Sequence, residues 1–167
     1  MANKYIKNSS GTLAEQEATV TSAGAGNAGQ IIALDATGKL DNSVLPTGIG
    51  ADTAIVAASE GLAAGDFVNI HNSSGAKVRK ADATTAGKEA HGFVLQSVIS
   101  GANATVYFEG TNTQVPGAPG GLVFLSTTAG GFSSSAPTAS GNIVQKIGVA
   151  VSATAINFEG QQPIILA

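Results

Sequence analysis

The stretch GAGNAG, Gly24 to Gly29, has the G-x-G-x-x-G spacing of a dinucleotide-binding loop. That loop works only between a buried strand and the start of a helix, whose free N–H groups hold the pyrophosphate. Nothing strand-like precedes Gly24, and ATVTSA is a weak candidate at best. The run QIIALDATGK that follows is β-prone, is broken by an Asp-x-x-Gly turn, and contains no helix start. We read these glycines as flexible spacing and expect no cofactor.

Metal and acid–base chemistry have few candidates. The histidines are His71, at the tip of a run from Phe67 to Asn72, and His91, just before GFVL. A zinc site would need a third ligand from Asp66, Asp82 or Glu89, and no His-x-x-x-His spacing supports one. Both histidines are read as polar residues flanking turns. Glu109 and Glu159 end similar segments, VYFEG and INFEG, which suggests a carboxylate pair across a cleft. The simpler reading is that each strand leaves the core, becomes solvated and turns at glycine. No G-x-S-x-G elbow surrounds any serine, and with no cysteine there is neither thiolate ligand nor thiol nucleophile. No catalytic residue and no metal ligand is expected, and the chain is not expected to be an enzyme.

The elements that would carry any site are short. Charged residues make up 11% of the 167-residue chain, against about 25% in an ordinary soluble domain. The net charge of -3 argues against nucleic acid as a partner, since phosphate binding needs a basic face. The one basic cluster, Lys77, Arg79 and Lys80, reads as a solvated strand end. No apolar run approaches the roughly 20 residues that span a membrane, so no membrane partner is expected. The opening MANKYIKNSSGT has no apolar stretch after its lysines and is not expected to be a secretory signal.

Two regions differ in texture. Residues 1–50 are polar and small, and we expect an extended arm that buries too little to fold alone. TLAEQEA is expected to form a turn of helix, because Thr12 and Glu15 have capping-box spacing. QIIAL is expected to supply the arm's short strand or hairpin. Residues 51–167 alternate between strand-like runs and Gly-rich turns, which predicts a mainly β domain, a small antiparallel barrel or sandwich. The expected strands are TAIVAA, FVNIHN with KVRKA, HGFVLQSVI with ATVYFEG, GLVFLST with FSSS, GNIVQKIGVAVS with ATAINFEG, and QPIILA. The expected core comprises Phe67, Val68, Ile70, Phe93, Leu95, Val98, Val106, Phe108, Val123, Leu125, Ile147, Val149, Val151, Ile156 and Phe158. Alternation places only some of these inside; the rest would cover a second surface, such as a subunit interface.

The stretch GDFVNIHNSSGAKVRKADATTAGKEAHGFVLQSVISGANATVYFEG resembles the capsid decoration, or cement, proteins of tailed bacteriophages. NIVQKIGVAVSATAINFE is similar to the second half of many small phage structural proteins, so the resemblance covers about residues 51–167. AGQIIALDATGKLDNSVLP resembles segments of phage head-fibre and tail-fibre proteins near the docking end. The resemblance implies a virion protein on the capsid exterior, made in the bacterial cytoplasm. Its partner would be the major capsid protein, and it implies a homo-oligomer, with a trimer favoured. The arm would attach through Lys4, Tyr5, Ile6, Lys7, Leu13, Val20, Ile31, Ile32, Leu34, Leu40 and Leu45, with the lysines meeting acidic capsid surface. The alternatives are a fibre, baseplate or tail component, which lacks the expected long shaft, and a carbohydrate-binding module. The last usually exposes aromatics, and here the tyrosines are Tyr5 and Tyr107, the latter inside a strand.

Overall fold

A computed structural model describes residues 3–46 and 50–167. Strands make up 40% of it and helix 4%, so the chain is mainly β, as its turn spacing predicts. The chain divides at Gly50 into two compact units, residues 1–50 and 51–167. Of the first unit, Met1, Ala2 and residues 47–49 of the arm lie outside the described residues.

In the first unit, β1 (Lys4–Ser9) and β2 (Thr12–Glu17) form an antiparallel hairpin in which Ile6 faces Glu15 and Asn8 faces Leu13. The helical turn expected over TLAEQEA is therefore a strand. The cause is the two-residue turn before it, where Ser10 (φ 54°) and Gly11 (φ 90°) both adopt the left-handed conformation that matches strand twist. Asn8 Oδ1 accepts from Gly11 N at 2.9 Å and closes that turn. QIIAL is not the arm's strand; it contributes a single parallel bridge, Ile32 to Thr19. GAGNAG enters one 3-10 turn, Gly24–Asn27, held by Asn27 Oδ1 accepting from Ala23 N at 2.6 Å. A four-residue turn with one bridge before it is not a strand–loop–helix unit, so the dinucleotide spacing has no matching context.

In the second unit, β3 (Thr53–Ala58), β4 (Phe67–Asn72), β5 (Ala76–Lys80), β6 (Gly92–Phe93) and β7 (Asn103–Tyr107) close in a ring of order β3-β5-β4-β6-β7. The ring is antiparallel except at its closure, where β3 and β5 run parallel over Ala57–Lys77 and Ala58–Val78. A second sheet has the order β10-β9-β12-β13-β8, from β8 (Gly110–Asn112), β9 (Gly121–Leu125), β10 (Phe132–Ser133), β12 (Lys146–Ser152) and β13 (Ala155–Phe158). The short β11 (Ile143–Val144) pairs with β14 (Ile164–Ile165).

Strand alternation builds two cores. Val68, Val78, Val94, Ala104 and Val106 pack together from the strands of the ring and the residue after β6. Phe67, Phe93, Val123, Leu125, Ile147, Ile156 and Phe158 pack in the other cluster, which joins the ring to the five-stranded sheet. Phe67 and Val68 are neighbours on β4, so their opposite faces serve different cores. Ile70, Leu95, Val98 and Phe108 are half-buried. Val149 and Val151, expected inside, lie on the outer face of β12 at 36% and 61% exposure, since Ile147 and Ala150 take the inner positions around a register shift at Gly148.

Two strand expectations fail for identifiable reasons. HGFVLQSVI is not one long strand paired with ATVYFEG. Only Gly92–Phe93 is strand, meeting β7 at the single pair Phe93–Tyr107, while β7 spends five pairs on β3. Beyond Phe93 the chain turns to residues 62–66: Val94 N donates to Asp66 O, and Val98 bridges Leu62. Hence HGFVLQSVI and ATVYFEG do not form a hairpin. GNIVQKIGVAVS is likewise split at Gln145, whose buried side chain accepts from Ala90 N (2.8 Å) and donates to Ala90 O (2.9 Å) and Gln161 O (3.0 Å).

Candidate functional site

The first unit has an unusual surface. No described residue of it is fully buried. Ile6 (65% exposed), Leu13 (71%) and Ile31 (54%) stand out, and Ile32, Leu34 and Leu40 are about half exposed. Scattered apolar exposure is ordinary, but here the apolar residues of an entire unit remain outside any core. Of the other expected contacts, Tyr5, Val20 and Leu45 are half-buried. Ile6 and Leu13 share one face of the hairpin, because each lies opposite a residue of that same face in the register. Lys4 Nζ lies on that face 2.7 Å from Glu15 Oε2, which leaves Lys7 as the hairpin lysine without an ion pair among the described residues.

Local polar geometry shapes this surface in place of a core. Asp35 Oδ1 accepts from Thr37 N (2.8 Å), Thr37 Oγ1 (2.7 Å) and Lys39 N (2.9 Å), the Asp-x-x-Gly turn read from the sequence. These donors, led by the Lys39 N–H, hold the Asp35 carboxyl below its ordinary value. Asp41 is held low in the same way by Ser43. A depressed carboxyl stabilises the folded turn above the unfolded pKa, and that contribution is lost as pH falls through the folded value. Amide hydrogen exchange at Thr37 and Lys39 is therefore expected to lose protection, relative to the core, as pH falls below about 4. Unchanged relative protection would show that the carboxylate does not hold the turn.

In the second unit the sequence candidates separate. His71 Nε2 is 3.0 Å from Ser59 Oγ, a nucleophile-and-base spacing. Burial, reinforced by Arg79, lowers the pKa of His71. Ser59 Oγ also donates to Val78 O (3.2 Å), and no carboxylate hydrogen-bonds to the ring among the described residues. His91 is used by the backbone: its Nδ1 accepts from Ile70 N at 3.0 Å, and Nε2 faces Glu89 at 3.6 Å. Asp66 pairs with Lys80 (3.4 Å), and Asp82 accepts from Thr84. No group of three metal-ligating side chains comes together among the described residues. Lys77, Arg79 and Lys80 do not form a free basic patch. Arg79 donates inward to Asn69 Oδ1 and Gly87 O, and Lys80 is paired.

The structure does bring Glu109 and Glu159 to one place. The pairing of Phe158 with Gly110 sets their two Glu-Gly segments side by side. Both residues line a groove of about 620 Å³ with Phe108, Phe158 and Asn157. The shared FEG ending was the signal for this. Both side chains are exposed. No helix among the described residues is long and apolar enough to cross a membrane.

No protein-family model matches this chain, and no curated protein or solved structure does either.

Proposed function

We propose that this chain is a structural virion protein that binds the outer surface of a phage capsid and decorates it through non-covalent contacts. Residues 1–50 make the attachment to the major capsid protein, residues 51–167 form the outward β unit, and copies associate, with a trimer favoured. The observation that carries this reading is the division of labour in burial. Every buried apolar side chain among the described residues lies between Ala58 and Phe158, whereas the first unit keeps Ile6, Leu13, Ile31 and Leu34 at the surface. A two-stranded hairpin without a core is marginal alone in water, so a surface that covers it accounts for its ordering. Repetition over a symmetric shell multiplies weak contacts.

The test is co-sedimentation with purified phage heads. Full-length chain is expected to pellet with heads, and residues 51–167, which hold both cores, are expected to stay folded and remain in the supernatant. The double variant Ile6→Asp, Leu13→Asp should weaken head binding by at least tenfold without altering the spectrum of the β unit, since each buried aliphatic contact is worth about 1.5–3 kcal/mol. Full binding by residues 51–167 would overturn the assignment of the arm. A fibre or tail component would show a copy number far below that of the capsid protein in purified particles, by quantitative mass spectrometry.

A further inference from the structure

We propose that the uncharged groove beside β7 binds a neutral pyranose sugar. It encloses about 240 Å³, the scale of one sugar ring, and is lined by Leu95, Gln96, Val98, Asn103, Thr105 and Tyr107. Its origin is the hairpin that does not form. Past the pair Phe93–Tyr107, the segment after β6 leaves β7 to bond with residues 62–66, and the gap between them is the groove. The fold thus holds both walls in place without filling the space.

The lining has the chemistry of a sugar site. Ala104 and Val106 are fully buried within the ring, so Asn103, Thr105 and Tyr107 share the opposite, outer face. The Tyr107 ring is stacked on Phe93 at 5.4 Å and 16°, which fixes the aromatic wall. Such a wall, with the aliphatic Leu95 and Val98 in the same lining, suits the C–H face of a pyranose. Around it, the amides of Gln96 and Asn103 and the hydroxyls of Thr105 and Tyr107 supply hydrogen-bonding groups to the lining. Amides and hydroxyls both donate and accept, which matches sugar hydroxyls. No charged side chain lines the groove, which favours a neutral ligand over a uronate, a phosphate or an amine. The wider groove carrying Glu109 and Glu159 has the opposite character. This proposal is independent of capsid attachment, because it concerns the second unit alone.

The experiment is a titration of the full chain with the methyl glycosides of glucose, galactose, mannose and N-acetylglucosamine, followed by amide chemical shifts. Saturable shifts confined to residues 95–98 and 103–107 with at least one glycoside, in the millimolar range, are expected. Gln96→Ala and Asn103→Ala, both at exposed positions, should each weaken that binding about tenfold and leave the rest of the spectrum in place. Absence of saturable shifts with all four glycosides would overturn the proposal, as would shifts that persist undiminished in both variants. Groove shifts that depend on protein concentration without sugar would assign the surface to a second copy of the chain and overturn it as well.

Discussion

Phe93→Ala is expected to destabilise residues 51–167 by about 3–5 kcal/mol, the range for removing a fully buried aromatic ring. Phe93 is 1% exposed, stacks on Tyr107, and meets Phe158 edge-on at 5.9 Å. It also lies opposite Phe67 in the β4–β6 register. One side chain therefore touches the ring and the five-stranded sheet together. Its loss opens a cavity where rigid strands meet on several sides, leaving little room for collapse. Against a typical total of about 5–15 kcal/mol, the variant should be near its unfolding threshold at 25 °C. Urea unfolding should show the midpoint falling at nearly constant slope. Val151→Ala, at an exposed position of β12, should change stability by no more than about 0.5 kcal/mol. Comparable effects at the two positions would mean that the aromatic cluster does not join the two sheets.

Gly148→Ala is expected to cost on the order of 3 kcal/mol. Gly148 has φ 150°, at the point where β12 shifts register against β9. A Cβ there would overlap the carbonyl oxygen of Asn157 and would lie 3.2 Å from Phe158 Cα. Both obstacles are backbone of β13, which pairs with β12 on one side and β8 on the other. Relief requires moving a central strand, not rotating a side chain. A bulge at this position is what sends Ile147 and Ala150 inward and Val149 outward, so the strain also disturbs the core. Thermal unfolding should fall by about 10 °C. Gly61→Ala, where φ is ordinary and no atom lies within 4 Å, is the control and should leave the midpoint almost unchanged.

How far the fold was legible depended on the range of the interaction that decides each element. The β4–β5 and β9–β10 hairpins were readable because each closes through a local turn between alternating runs. TLAEQEA was misread because Thr12 and Glu15 imitate a helix cap, while the deciding signal was Ser10-Gly11 just upstream. HGFVLQSVI was misread because its apolar content is that of a strand, yet its partners lie some thirty residues back, at Leu62 and Asp66. The split at Gln145 was invisible for the same reason: the groups that capture its amide, at Ala90 and Gln161, are remote in sequence.

Candidate sites follow the same division. The exposed apolar character of the first unit was legible in composition, since a segment with few large anchors has nothing to build a core from. The absence of any His-x-x-x-His spacing was equally plain. The shared FEG ending signalled the meeting of Glu109 with Glu159, whereas nothing local marked the groove at Tyr107.

The sequence by itself determined the mainly β character, the change of texture near residue 50 and the turn at Asp35, because these rest on residue-level conformational preference and on period-two patterning. The tertiary structure alone decided which strand pairs with which, which face of β12 is inside, and which side chains share a groove. Those outcomes depend on competition among distant partners for the same backbone hydrogen bonds, and no local run of residues records which partner wins.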